Sequence, residues 1–282
     1  MGSGMRKGCF HSRRALITGG SSGIGAAIAE QLARQGASIF LVARHKERLD
    51  QAATALRALA TETGQKVDVA VADVSDPAQA ADAVKQCEQR FGGIDLLINS
   101  AGITRPGYVE DMQLDAFRAQ MDTNFMGVVH MVRAALPAMI ARRDGWIANL
   151  SSAAGLKGVF GYAAYSASKF AVVGYSEALR SELVRHNIGV TVICPPDTRT
   201  PMLAGETPHR PYETAYLAAK GKVLEPDVVA RALLRGIEKR KSLVVPGFDS
   251  KFLRFANGIA PDTLDWMFDG MIRSAQKQKQ GR

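Results

Sequence analysis

The chain has 282 residues, of which 46% are hydrophobic and 22% are charged, so one large globular domain with a sizeable core is expected. The formal net charge is +9, yet no helix-turn-helix, zinc-finger or aromatic-basic RNA signature accompanies it, which argues against a nucleic-acid partner. No run reaches the roughly eighteen apolar residues that a spanning helix needs, so we predict that no helix crosses a membrane.

The N-terminal residues 1–11 are predicted to be a tail outside the fold, in which MGSG reads as a cloning remnant ahead of a native Met5. This tail lacks the apolar core of a signal peptide, and Cys9, Cys87 and Cys194 form an odd, scattered set. Both features favour a reducing, cytoplasmic compartment without a disulfide framework. The histidines show no ligand spacing, so we predict no metal site.

Short apolar runs alternate along the chain with longer amphipathic stretches. The runs predicted as strands are residues 15–18, 38–43, 67–72, 96–99, 146–150, 190–194 and 243–245. The predicted helices are 24–35, a polar helix ending at Thr63, one from Asp76 to Phe91, 113–141, 163–186 and one beginning at Glu225. Solidly apolar strands separated by helices indicate an α/β fold, a Rossmann-type doubly wound sheet of about seven parallel strands with helices on both faces. We place this single domain at 12–248.

Residues 249–282 form a predicted C-terminal amphipathic helical extension. Its apolar residues include Phe252, Phe255, Trp266 and Phe268, which stand among basic residues. One interpretation is a pair of helices that packs on the domain. The other is an element that faces a membrane or gates the substrate, and Trp266 and Phe268 would then contact an anionic lipid surface.

A glycine-rich turn joins the first predicted strand to the first predicted helix. Glycines in such a turn permit close approach of the backbone to a pyrophosphate, whose charge the helix N-terminus stabilises. A turn of this kind is weak evidence alone, but its place between strand and helix strengthens it. The sequence therefore predicts a dinucleotide-binding domain. The predicted contacts in this turn are Gly19, Ser21, Ser22, Gly23, Ile24 and Gly25.

The end of the second strand indicates which dinucleotide binds. Sheets that bind NAD commonly carry an acidic residue there, which accepts a hydrogen bond from the ribose 2′-hydroxyl. This chain has Arg44 instead, with Arg48 one helical turn later. Two guanidinium groups suit a 2′-phosphate, so we predict NADPH/NADP as the cofactor, the alternative being a solvated helix start.

Tyr165 and Lys169 are four residues apart and therefore share one face of a helix. A tyrosine has a reference pKa of about 10, and a nearby ammonium, helped by the oxidised nicotinamide, is expected to lower it. Ser152 follows the strand at 146–150, where its hydroxyl would hold a carbonyl oxygen beside the tyrosine. Asn124, on the preceding helix, either supports a proton relay through water and Lys169 or makes a local hydrogen bond.

In their order along the chain these motifs resemble the short-chain dehydrogenase/reductases, over about 12–205. The matching motifs are TGGSSGIG at 18–25, Asp73-Val74, Asn99-Ser100-Ala101-Gly102, Asn124, Ser152, Tyr165 and Lys169. The resemblance implies that Asp73 and Val74 hold the adenine, and that Asn99, Ala101 and Gly102 steady the fourth strand beside the cofactor. It also implies a catalytic tetrad of Asn124, Ser152, Tyr165 and Lys169, in which Lys169 bonds the nicotinamide ribose.

Members of this family are commonly homodimers or homotetramers, joined through the helices that correspond here to 113–141 and 163–186. The family also has Pro-Gly after its sixth strand, where this chain has Pro195-Pro196-Asp197-Thr198-Arg199-Thr200-Pro201. The second proline removes a backbone donor and stiffens the turn. We therefore expect the cofactor contacts of this turn to come from Pro195, Thr198 and Thr200.

The same proline-rich run resembles a subgroup of the family that reduces 3-ketosphinganine to sphinganine with NADPH in sphingolipid synthesis. The implied function is reduction of a ketone to a secondary alcohol with Tyr165 as proton donor, on a long-chain lipid substrate and with peripheral membrane contact. The alternatives are a 3-oxoacyl-carrier-protein reductase, a general alcohol dehydrogenase of the same family and a non-catalytic dinucleotide sensor. The loop 202–219 with Val159, Phe160 and Tyr162 is expected to line the substrate pocket.

Overall fold

Seven parallel strands form one sheet in the computed structural model, which describes residues 8–280. The strands are β1 (Arg14–Thr18), β2 (Ser38–Ala43), β3 (Val67–Val71), β4 (Leu96–Asn99), β5 (Trp146–Leu150), β6 (Gly189–Ile193) and β7 (Leu243–Val244). Their order is β3-β2-β1-β4-β5-β6-β7, and all neighbours are parallel. The order reverses between β1 and β4, which confirms the predicted doubly wound fold.

Helices cover both faces of this sheet. Those within the predicted domain are α1 (Gly23–Ala33), α2 (Lys46–Arg57), α3 (Pro77–Phe91), α4 (Leu114–Met121), α5 (Gly127–Arg142), α6 (Ala163–Leu183), α7 (Pro201–Glu206), α8 (Tyr212–Ala218) and α9 (Pro226–Glu238). α3, α5 and α6 contribute to the core on one face, and α1, α2 and α9 to the core on the other. Successive strand residues supply opposite cores: Leu16 belongs to the first and Ile17 to the second, as the two-residue period of a strand requires.

The observed boundaries agree with the predicted strands to within one residue, but three helical features differ from the sequence prediction. α2 ends at Arg57 rather than at Thr63. After β6, the segment 202–219 contains the short helices α7 and α8, where only a loop was expected. The Gln65 amide explains the early end of α2, because it accepts from the Thr61 backbone N–H and donates to the carbonyls of Ala33 and Ala37. Residues beyond Arg57 are therefore held to the turn between α1 and β2.

The predicted helix at 113–141 is one continuous element with a widened turn inside it. Between α4 and α5 the segment Asp122–Met126 is π-helical, a local geometry that is frequent at functional sites. The continuous helix Leu114–Arg142 has an 18-residue window of mean hydropathy 1.3, which is long and apolar enough for a membrane span. Met131, Val132 and Met139 of this helix are nevertheless buried in the core, and that no helix crosses a membrane stays a prediction.

The C-terminal extension consists of two helices, α10 (Phe248–Ile259) and α11 (Pro261–Gln280). α11 packs against α8, and Asn257 of α10 donates to the Leu156 carbonyl at 3.3 Å. Lys157 and Asp265 of α11 form an ion pair. The extension therefore packs on the loop that leads from β5 to α6. Of the predicted N-terminal tail, residues 1–7 lie outside the described residues, whereas Phe10 is fully buried in the core that α1, α2 and α9 cover.

Candidate active site

A cavity of about 580 Å³ lies at the carboxyl edge of the sheet, the edge at which doubly wound folds bind ligands. The predicted cofactor residues that line it are Gly19, Ser21, Ser22, Gly23, Ile24, Arg44, Arg48, Asp73, Val74, Ala101, Gly102, Tyr165, Lys169, Pro195, Thr198 and Thr200. The predicted catalytic Ser152 lines it as well. Gly25, Asn99 and Asn124 are buried and are not among the residues that line it.

The glycine-rich turn leaves room for an anion at the start of α1. Gly19 and Gly23 have φ values of +64° and +57°, which side-chain-bearing residues rarely adopt. Ser22, the residue that precedes α1, makes no capping hydrogen bond with its side chain, and no acidic residue occupies the first turn. The helix N-terminus therefore offers unfilled N–H donors to the cavity, which fits a pyrophosphate.

Gly25 is required by packing rather than by contact with the cavity. A Cβ at this position would come within 2.5 Å of the Gly19 carbonyl oxygen. We expect Gly25→Ala to lower the free energy of unfolding by about 1–3 kcal/mol, as overpacking does, and to weaken dinucleotide binding because the turn must shift. Urea unfolding followed by tryptophan fluorescence measures the first effect.

Gly174→Ala is the matched control for this substitution. Gly174 is an exposed position inside α6 where a Cβ would meet no atom within 4 Å. Alanine there is expected to be neutral or to stabilise the helix by roughly 0.5–1 kcal/mol. Equal stability of the Gly25→Ala variant and the wild type would contradict the assigned packing role.

The end of the cavity where Arg44 was predicted to meet a 2′-phosphate lies at the carboxyl ends of β2 and β3. Arg44 directly follows β2, and its Nη1 lies 3.7 Å from Oδ2 of Asp73, which follows β3. The other carboxylate oxygen of Asp73 accepts from the backbone N–H and the hydroxyl of Ser75. Asp73 is therefore fixed in its own turn, and half of the Arg44 side chain is free to meet a ligand.

Three predicted catalytic side chains meet at the other end of the cavity. Ser152 follows β5, and Tyr165 and Lys169 lie on α6 with the Lys169 Nζ 5.6 Å from the centroid of the Tyr165 ring. The Lys169 ammonium donates to the Leu150 carbonyl at 3.0 Å. Ser151 holds α6 in register, because its hydroxyl donates to the Lys169 carbonyl at 2.8 Å.

The protonation states of these groups suit proton donation by the tyrosine. Burial raises the pKa of Tyr165 above its ordinary value, and the hydrogen bond from Ser152 opposes that rise. This direction is opposite to the lowering expected from Lys169. Burial also lowers the pKa of Lys169 to about 8, so the ammonium is still charged at pH 7. Near neutrality Tyr165 is therefore a protonated phenol beside a cation.

Asn124 makes local hydrogen bonds rather than a direct contact with Lys169. Its Oδ1 accepts from the Ile103 N–H at 2.7 Å, and its Nδ2 donates to the Ile103 carbonyl at 2.9 Å and to Ser168 Oγ at 3.0 Å. A Cβ on Gly102 would lie 3.1 Å from Asn124 Oδ1 and 3.6 Å from Lys169 Nζ. The two side chains thus border the same glycine without bonding each other.

The turns after β4 and β6 close the cavity wall. Asn99 donates to Asn149 Oδ1 at 2.8 Å and so links β4 to β5. After β6, Pro195 accepts from the Ala153 N–H, and the Thr198 hydroxyl donates to the Pro196 carbonyl. Thr200 caps α7 through the Leu203 N–H at 3.3 Å. Val159 and Tyr162 line the cavity as predicted, whereas Phe160 packs edge-on against Tyr108.

Sequence reasoning missed several polar residues of this site. Thr18 Oγ1 accepts from the N–H groups of Ser100 and Ala101, and Ser168 connects Asn124 to α6. Asp197 and Glu206 also line the cavity. The only sequence signal for Ser168 is that it precedes Lys169. The only signal for Glu206 is its i,i+4 spacing from Arg210, because its other partner, Tyr162, is distant in the chain.

The comparisons with known proteins agree with this geometry. The family model described as short chain dehydrogenase matches residues 13–211. The 3-ketodihydrosphingosine reductase of Bos taurus is 40% identical over 221 residues, which cover 78% of this chain and 67% of the bovine protein. A 3-dehydrosphinganine reductase of Arabidopsis thaliana is 37% identical over 273 residues, which cover 93% of this chain and 80% of the plant protein. A solved short chain dehydrogenase/reductase from Burkholderia phymatum, in complex with NAD, has a TM-score of 0.79 at 28% identity and covers 90% of this chain and 95% of that chain.

Proposed function

This chain belongs to the short chain dehydrogenase family of oxidoreductases, and we therefore propose that it reduces the ketone of 3-ketosphinganine to the secondary alcohol of sphinganine with NADPH. One observation supports the reductase chemistry: Ser152, Tyr165 and Lys169 line the same cavity as the glycine-rich turn. The substrate is supported by the relatives named for this reaction, which align over most of the chain.

The chain's own residues supply binding, orientation and a proton. NADPH, when bound, supplies the hydride. The Ser152 hydroxyl holds the ketone oxygen beside Tyr165, and the protonated phenol donates its proton to that oxygen as negative charge develops there. The Lys169 ammonium stabilises the resulting phenolate. The start of α1 holds the pyrophosphate, and Arg44 with Arg48 holds the 2′-phosphate.

A product assay tests this proposal. The full chain is incubated with NADPH and either 3-ketosphinganine in mixed micelles or an acetoacetyl thioester, and the products are identified by mass spectrometry. We expect sphinganine, formed at a higher kcat/KM than the hydroxy thioester. Reduction of the thioester alone would favour the 3-oxoacyl-carrier-protein reductase alternative. Nucleotide binding with no ketone reduced would favour a sensor.

We further propose that α10 contacts the lipid surface in which such a substrate resides. Its residues Phe248, Phe252, Phe255 and Ile259 form one stripe along the helix and are 58–81% exposed. Lys251 and Arg254 are exposed as well. An apolar stripe with flanking cations suits an anionic bilayer interface. Phe268, which the sequence favoured for this contact, is half-buried, whereas Trp266 is exposed.

The α10 contact is tested by co-sedimentation with phosphatidylcholine/phosphatidylglycerol vesicles. The double substitution Phe252→Ser and Phe255→Ser is expected to lower the vesicle partition coefficient about 100-fold or more, because each buried aromatic contributes about 1.5–3 kcal/mol. Val184→Ser serves as the control, since Val184 is 65% exposed and follows the end of α6 just before β6, at the opposite edge of the sheet. Equal binding of the wild type and all variants, at low and at high salt alike, would contradict the proposed contact.

A further inference from the structure

A cluster of ionised side chains stands at the substrate end of the cavity. The Arg210 guanidinium donates through Nη2 to Glu206 Oε1 at 2.6 Å and to Asp197 Oδ2 at 2.8 Å. The Tyr162 hydroxyl donates to the same Glu206 Oε1 at 2.7 Å. The side chains of Glu206 and Arg210 are only 8% and 6% exposed. Two carboxylates, buried Glu206 and the 41% exposed Asp197, therefore share one buried guanidinium.

This cluster borders the reacting atoms. Tyr162, Asp197 and Glu206 line the same cavity as Ser152 and Tyr165. The rings of Tyr162 and Tyr165 have centroids 5.8 Å apart. Burial is the main cause that raises the pKa of Tyr165, and the charges of Glu206 and Asp197 raise it further. The carboxylates are therefore within electrostatic reach of the phenol that would donate the proton.

The charges of the cavity wall are separated along its length. Arg44 and Arg48 lie after β2, whereas Asp197 lies after β6, four strands away. At a spacing of about 4.8 Å between strands, these two ends are about 19 Å apart. The cationic end suits a phosphate, and the cluster of two carboxylates and one guanidinium leaves one negative charge uncompensated at the other end. The Lys169 ammonium donates to the Leu150 carbonyl and forms no ion pair with Asp197 or Glu206.

We propose that Glu206, supported by Asp197, binds the ammonium group of the substrate and so selects an α-amino ketone over a neutral ketone. This inference rests on the proposed function and names the substrate class of that same site. Among the described residues, the hydrogen bonds that Glu206 accepts fall on Oε1, which leaves Oε2 for a ligand. A charge-assisted hydrogen bond from an ammonium is the strong kind of polar contact.

The chemistry of an α-amino ketone fits the spacing of the site. Its nitrogen is two bonds from the carbonyl carbon, about 2.5 Å away, as in the N–Cα–C unit of a peptide. A ketone oxygen held by Ser152 and Tyr165 therefore brings the ammonium close to Tyr162, the residue that contacts Glu206. A neutral ketone in the same place would leave the surplus carboxylate charge unpaired beside the buried side chains of Glu206 and Arg210, which is costly.

The test compares two ketones that differ only in the amine, 3-ketosphinganine and 1-hydroxyoctadecan-3-one. We expect the wild type to have the higher kcat/KM with the amino ketone. Glu206→Gln, which keeps the shape and an acceptor for Tyr162, is expected to lower the ratio of the two kcat/KM values about 10-fold or more. Asp197→Asn is expected to lower the same ratio by a smaller factor.

Glu213→Gln is the matched control, because Glu213 is another buried carboxylate that accepts from a tyrosine, Tyr108 at 2.8 Å, but does not line the cavity. In the Glu213→Gln variant the ratio of the two kcat/KM values is expected to equal that of the wild type. Retained NADPH binding establishes that each variant is folded. An unchanged ratio in both Glu206→Gln and Asp197→Asn, or a wild type without preference for the amine, overturns the inference and leaves the reductase standing. A wild type that reduces neither ketone refutes the proposed function itself.

Discussion

Replacing Tyr165 by phenylalanine is expected to lower turnover by at least about 100-fold, the usual contribution of a positioned general acid. The phenol is the acid at the substrate end of the cavity that is protonated near neutrality, since burial raises its pKa. The ring and its neighbours stay in place in the Phe variant, so NADPH binding should be nearly unchanged. Steady-state NADPH oxidation and fluorescence titration measure the two quantities.

Tyr175→Phe is the matched control for this substitution. Tyr175 lies on the same helix and packs edge-on against Phe125 with ring centroids 5.9 Å apart, but it does not line the cavity. It should keep wild-type turnover. Near-normal turnover in the Tyr165→Phe variant would show that Tyr165 is not the proton donor.

Replacing Arg44 by alanine is expected to remove most of the preference for NADPH over NADH. We expect the wild type to bind NADPH more tightly by roughly 1.5–3 kcal/mol, the range for a charge-assisted contact to a phosphate. Asp73, 3.7 Å from Arg44 in the structure, would compete weakly for the guanidinium. In the variant the affinity for NADH should stay the same, because NADH has no 2′-phosphate to lose a contact.

The control for Arg44→Ala is Arg90→Ala. Arg90 pairs with Asp68 at 2.9 Å and is about as exposed as Arg44, yet it lies outside the cavity wall. Its loss should leave the ratio of the two dissociation constants unchanged. A wild-type protein that prefers NADH would show that the arginine after β2 does not select the cofactor.

Two of these experiments examine opposite ends of one cavity. Arg44→Ala changes the cationic end, and Glu206→Gln changes the end with surplus negative charge. If charge separation governs binding, the first substitution alters cofactor choice without altering the choice between ketones, and the second does the reverse. A variant that altered both choices together would indicate a general distortion of the fold.

The sequence by itself determined the sheet and most of its ligand-binding edge. Short, solidly apolar runs, each ended by glycine, proline or a polar residue, identify strands because that pattern depends only on neighbouring residues. The place of Gly19, Arg44 and Ser152 follows from the same reasoning. Gly19 and Arg44 come directly after a strand, Ser152 comes two residues after one, and parallel strands share their carboxyl edge. The sequence also predicts that Tyr165 and Lys169 lie on one face of a helix, because four residues make about one helical turn.

Only the tertiary structure decided which polar groups meet across distant parts of the chain. The early end of α2 depends on Gln65 reaching the carbonyls of Ala33 and Ala37. The bonds of Asn124 depend on Ile103 and Ser168, which approach it from two other elements. Tyr162 joins Glu206 because α7 and the residues after it fold back over the start of α6. Such contacts follow from packing of whole elements, and no local period or composition records them.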